Sequence, residues 1–193
     1  MTTQSTRSER MGRIDPARMT DLQKKAAEEL ASGPRGQVRG PFNVLLRSPE
    51  LMSPVQKVGE YLRFRCPLER RIAEFATLIA ARQWTQNYEW QAHHPLALKA
   101  GLKPEIAQAL AEGRRPTGMA QDEEIVYDLL TELFHNQSAS DATYERALKQ
   151  FGEHQMVDIV AIAGYYSMLA MLLNLARTPL PEGKEPGMPH FPN

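Results

Sequence analysis

The chain has 193 residues, the length of one domain able to bury a core without staples. Its 23 lysines and arginines balance 23 aspartates and glutamates, so no overall field draws it to nucleic acid or to an anionic membrane, and partner binding must be local. The single cysteine, Cys66, excludes an intramolecular disulfide and any Cys-x-x-Cys couple within one subunit.

Residues 1–14, rich in Thr, Ser and Arg, read as a mobile N-terminal tail with no apolar secretory core, and the cytoplasm is the expected location. One all-helical domain is expected over residues 15–177. Asp15-Pro16 places a cap before a proline suited to a first helical turn, and Met19, Leu22, Ala26 and Leu30 continue a helical stripe to Ser32-Gly33. A Gly- and Pro-rich linker spans residues 33–41. Ser48-Pro49 and Ser53-Pro54 each repeat the cap-then-proline signal and predict two short helices.

A longer helix is predicted from Pro67, buried between Ile72 and Ala81, where only Glu74 and Thr77 interrupt small or apolar side chains. A bend at residues 82–86 leads to another helix that closes at Gly101, with Pro95 as a candidate kink. Residues 104–112 form a short helix, and Val126, Leu129, Leu130 and Leu133 stripe the next, whose start carries Asp122, Glu123 and Glu124. Ser140 or Asp141 caps a helix striped by Tyr144, Ala147, Leu148 and Phe151, and Gly152 separates it from an apolar helix over residues 159–173. That segment is short for a membrane span, which needs roughly 20 residues, and reads as core plus subunit contact in a homo-oligomer. Residues 178–193 hold too much proline and glycine for a helix and should run extended over a surface, their own or a partner subunit's. No alternating segment argues for a sheet, so the fold class is all-α.

Three residues stand out chemically. Glu74 lies in the most apolar window of its helix, where loss of water favours the protonated carboxyl and makes it a proton carrier; an ion pair with Arg70 or Arg71 one turn earlier is the plainer reading. Glu89 and His93, four apart, share a helix face continued by Leu96, Ala97 and Ala100, so both point inward, and an inward Glu and His suit acid and base catalysis. A metal held by two carboxylates and one imidazole is an alternative, but no second histidine has clear ligand spacing, so neither metal nor cofactor is expected. Trp84, Tyr88, Trp90, Tyr165 and Tyr166 are candidate walls of a pocket, with simple packing as the commoner role of aromatics at such places, and His94 points away from the His93 face. Arg63, Arg65, Arg70 and Arg71 form a basic stretch that fits a solvated face or an anion-binding rim.

The segment EFATLIAARQWTQNYEWQAHHPLALKAGL resembles the signature of the carboxymuconolactone decarboxylase family, whose superfamily includes the alkylhydroperoxidase D-type proteins. The peroxidase motif is Glu, eleven residues, Cys-x-x-Cys, three residues, His; Glu74 and His93 fall on its ends and Gln86 and Glu89 on its cysteines. The likeness spans about residues 51–113, and FGEHQMVDIVAIAGYYSMLAMLLN is similar to the helix that follows in longer members. The resemblance implies a helical bundle assembled as a trimer or hexamer, with an active site between helices. It also implies that thiol peroxidase chemistry is absent, since neither Gln nor Glu replaces a thiolate, and that the cofactor-free decarboxylase branch is the nearer relative. On that reading Glu74, Glu89 and His93 are catalytic, with His93 as proton donor, Glu89 as its partner and Glu74 orienting the site. Gln86, Tyr88, Trp90 and His94 would contact a small carboxylated lactone or aromatic-catabolism metabolite. A non-catalytic small-molecule binder and a metal-dependent variant stand beside it.

Overall fold

The computed structural model describes residues 8–189; part of the expected N-terminal tail, residues 1–7, and the end of the C-terminal one, residues 190–193, lie outside the described residues. Within them the chain forms eight α-helices and no strand: α1 (Asp21–Ser32), α2 (Pro41–Leu45), α3 (Pro49–Glu60), α4 (Arg70–Gln83), α5 (Asn87–Lys99), α6 (Pro104–Ala111), α7 (Gln121–Asn136) and α8 (Asp141–Ala176).

Helix α4 is the axis of the bundle. Every residue from Ile72 to Arg82 is buried, because α8, α5, α7 and α6 surround it. Around α4 the core gathers Phe75, Leu78, Ile106, Leu130, Ile159 and Ile162, all essentially without solvent contact. Burial of this kind contributes on the order of 25 cal/mol per Å² of apolar surface, so the bundle is held chiefly by the stripes that the sequence shows.

Several boundaries differ from the sequence reading, each for a local reason. Asp15 caps only one 3-10 turn, Pro16–Arg18; the long first helix starts later, where Thr20 and Gln23 form a reciprocal capping box with bonds of 3.3 and 3.0 Å. Ser53-Pro54 does not open a new helix but lies inside α3, and the Ser53 hydroxyl donates sideways to Glu29 instead of capping. The helix expected from Pro67 begins at Arg70, after a π-helical turn over Tyr61–Arg65 that the pattern did not show. Gly152 does break the final helix, adopting φ 67° and ψ 170° in the left-handed half of backbone space.

The apolar part of α8 is a core helix. By length and composition α8 could cross a membrane, yet 56% of its most apolar window is buried against the rest of the chain. Its outer face still leaves Val157, Val160, Met171 and Leu175 exposed. Arg10 docks on the chain itself: its amide and guanidinium donate to Ala176 O at 2.8 Å and Leu175 O at 3.4 Å, satisfying carbonyls that the end of α8 leaves unpaired. The C-terminal segment also returns to its own chain, running along α5.

Candidate active site

Helices α4 and α5 form a tight antiparallel pair. Gln86 N donates to Ala81 O at 2.8 Å and Thr85 takes a positive φ of 45°, so the chain reverses within three residues after α4. That reversal brings position 74 opposite position 93. Glu74, Glu89 and His93 are 2%, 4% and 3% exposed, so all three face inward together.

His93 Nδ1–H donates to Glu74 Oε2 at 2.6 Å, and the other Glu74 oxygen pairs with Arg70. An arginine-paired carboxylate only accepts, which fixes the hydrogen on Nδ1 and leaves Nε2 of the neutral ring free to take a proton. Glu89 Oε2 stands 3.6 Å from that Nε2, beyond hydrogen-bond length yet close enough to become one with a small shift. Tyr166 meets the imidazole edge-on, with ring centroids 4.7 Å apart at 76°. The ring is thus oriented on one side by Glu74, walled by Tyr166 and open at Nε2.

Burial pushes the Glu89 carboxyl above the ordinary carboxylate range, and His93, Arg63 and Arg35 only partly offset that loss of water. The Tyr166 and Tyr165 phenols are pushed up for the same reason and stay protonated donors. Of these groups Glu89 is the one that approaches the open ring nitrogen, while Tyr166 packs on the imidazole edge and Tyr165 turns its hydroxyl to Arg35.

The open side of His93 and Glu89 faces a cavity of about 360 Å³. Its apolar wall includes Phe42, Tyr88, Tyr166 and Leu169; its cations are Arg35, Arg39, Arg63 and Lys184, against a single carboxylate, Glu89. The Nε atoms of Arg35 and Arg63 are buried without a hydrogen-bond partner among the described residues. Arg35 lies over the Phe42 ring at 4.6 Å and donates to Tyr165 Oη at 3.4 Å, and both approach α3 at Gly59, where a Cβ would overlap the Tyr165 hydroxyl and lie 2.6 Å from Arg35 Nη2. Such a box matches, in charge and lining, an anion with an apolar body.

Other residues singled out in the sequence take different places. Tyr88 lines the cavity, packed against Gly40, whose φ of 57° and lack of a side chain make room for its ring. Gln86 is off the cavity: it caps α5 by accepting from Tyr88 N at 2.7 Å and donates to Asn174 Oδ1 at 2.8 Å. Trp90 and His94 stack on each other at 5.6 Å, outside the cavity lining, with Trp90 under the C-terminal segment. Of the basic stretch, Arg63 reaches the cavity, Arg70 holds Glu74, Arg71 pairs with Asp122 and Glu123 at 2.6 and 2.5 Å, and Arg65 stays near Glu60. Arg35, Arg39 and Lys184 were not singled out by their sequence. The first two sit in the Gly- and Pro-rich linker, where cations alternating with glycine were the available signal.

Cys66 lies apart, donating to Asp158 at 3.4 Å, and burial pushes its thiol up, away from reactive thiolate. Among the described residues, no group of three or more His, Cys, Asp and Glu side chains has a metal-holding arrangement.

No family model and no curated protein matches the chain. Among solved structures, a protein of unknown function from Agrobacterium tumefaciens, described as a candidate AhpD of antioxidant defence, is similar: 16% identity, TM-score 0.63, with 74% of this chain and 99% of that one covered. At that identity the likeness shows the fold. The chain has the all-helical AhpD-like architecture.

Proposed function

We propose that this chain is a cofactor-free acid and base enzyme of the carboxymuconolactone decarboxylase type, acting on a small carboxylated lactone or a related ring-cleavage acid. The observation that carries this reading is the Glu74, His93 and Glu89 array opening through His93 Nε2 onto a cavity with four cations and one acid.

In the reaction, the bond from the ring carbon to its carboxylate breaks, carbon dioxide leaves, and the electron pair enters the conjugated carbonyl as an enolate. Glu89, whose protonated form burial favours, passes a proton to His93 Nε2, and the imidazolium, stabilised by Glu74, delivers it to carbon. Solvent then reprotonates Glu89, so that one proton is consumed per carbon dioxide released. Arginines that held the leaving carboxylate would oppose its departure; their place is on a retained carboxylate and on the developing enolate oxygen. Thiol peroxide reduction within one subunit has no counterpart here, because the only cysteine lies outside the cavity.

The active assembly is a homo-oligomer, a trimer or hexamer, and the exposed apolar residues of α8 supply the surface for it. A panel of lactone and keto acids, assayed for carbon dioxide release and for deuterium in the product in heavy water, tests the function. Release with one deuterium at the decarboxylated carbon is expected. Saturable binding with no release by any member would make the chain a binding protein instead.

A further inference from the structure

The C-terminal segment is docked on α5 at several points. Asn87 donates to Met188 O at 3.3 Å and accepts from Met188 N at 2.9 Å. Gln91 donates to Glu185 O at 2.5 Å, and Arg82 donates to Pro189 O at 2.6 Å. Gly187 lies flat on Trp90, where a Cβ would come within 2.8 Å of the indole nitrogen, and the Met188 side chain is sunk in the core. Apart from Arg82, at the end of α4, these anchors occupy the first turns of α5, the same turns that carry Glu89 and His93. Just before them, Lys184 N donates to Pro181 O at 3.0 Å, closing a turn that places Pro181 and Lys184 on the cavity lining. A surface tail with no role at the site has no need of such a clasp, since ordering each backbone residue costs roughly 1–2 kcal/mol.

The cations of the cavity stand at two levels. Arg35 and Arg63 act electrostatically on Glu89, deep in the site, and their unpartnered Nε atoms mark unused donors there. Lys184 is exposed, and among the described residues no ion pair occupies its ammonium group.

We infer that Lys184, held over the cavity mouth by the C-terminal clasp, is a substrate-binding residue that engages a second anionic group, so that the preferred ligand is a compact dianion. The inference rests on the proposed reading of the cavity as an acid and base site for carboxylated substrates. It adds a residue from a segment outside the helical bundle to the specificity of that site. A lysine suits this place as a mobile point charge, whereas the inner arginines offer planar forks to a fixed carboxylate.

Calorimetric titration of the full chain with maleate, acetate and inorganic phosphate tests it. Maleate should bind at least tenfold more tightly than acetate, Lys184→Met should remove that preference, and Lys184→Arg should restore most of it. Asn87→Ala, which loosens the clasp and leaves the charge, should weaken maleate binding severalfold with little change in Tm. Tighter binding of phosphate than of maleate, still dependent on Lys184, would assign the dianion as a phosphoryl group. Equal affinity for maleate in wild type and Lys184→Met, or no saturable binding of either dianion by wild type, overturns the inference. Lys184-dependent binding without carbon dioxide release from any lactone acid would instead remove the decarboxylase reading and leave this one standing.

Discussion

In the proposed reaction the chemistry turns on His93, whose environment gives distinct places to two carboxylates of the same type. Glu74, tied to Arg70, orients the ring; Glu89, with only a long approach to Nε2 and little water, is the proposed proton carrier. The folded pKa of Glu89 lies above its unfolded value. The penalty for burying its charged form is therefore absent at low pH, where the carboxyl is protonated in both states, and grows as pH rises from the ordinary carboxylate range through the raised folded value. The Tm of Glu89→Gln relative to wild type should rise between pH ~4 and pH ~8, while turnover is lost. Thermal scans at the two pH values check this, and a relative Tm that falls over that range would show that the ionised form is well paired. At Gly59, Gly59→Ala should displace Arg35 and Tyr165, costing about 1–3 kcal/mol by denaturant melts and weakening anion binding at the same time.

At the scale of elements, the α4 and α5 pair makes the site and the Gly152 break shapes the last helix. A Cβ at Gly152 would meet nothing within 4 Å, so Gly152→Ala isolates the backbone cost of this nearly glycine-only conformation, expected to be about 1–3 kcal/mol by urea melts. Most of this scale was legible in the sequence. The apolar run of α4, the inward Glu and His four residues apart on α5, and the break at Gly152 follow from periodicity and glycine chemistry alone. What periodicity does not encode is where a non-periodic segment lands. The linker that carries Arg35 and Arg39 and the tail that carries Lys184 reach the cavity through tertiary hydrogen bonds and a glycine pressed on an indole. Ser53-Pro54 misleads for a related reason: its local signal is that of a helix start, but tertiary contact with Glu29 claims the hydroxyl. The pairing of Glu74 with His93, nineteen residues apart, required the tight α4 to α5 turn, which the sequence showed only as a bend.

For the whole molecule, a balanced charge leaves association to its surfaces, and the outer face of α8 is the apolar one. Light scattering should give a mass of three or six chains, and Val160→Glu combined with Met171→Glu should yield monomers with helicity retained. An unchanged mass in that variant would place the interface elsewhere. The AhpD-like bundle is common ground with a protein described in terms of antioxidant defence, but the fold does not determine the reaction. The reaction depends on one imidazole facing an anion-binding cavity, and its most direct measurement is the initial rate of carbon dioxide release by wild type and His93→Asn on the same carboxylated lactone. A fall in kcat of about 10²–10⁴ with an unchanged Tm is the expected result, and equal rates in the two proteins would contradict it.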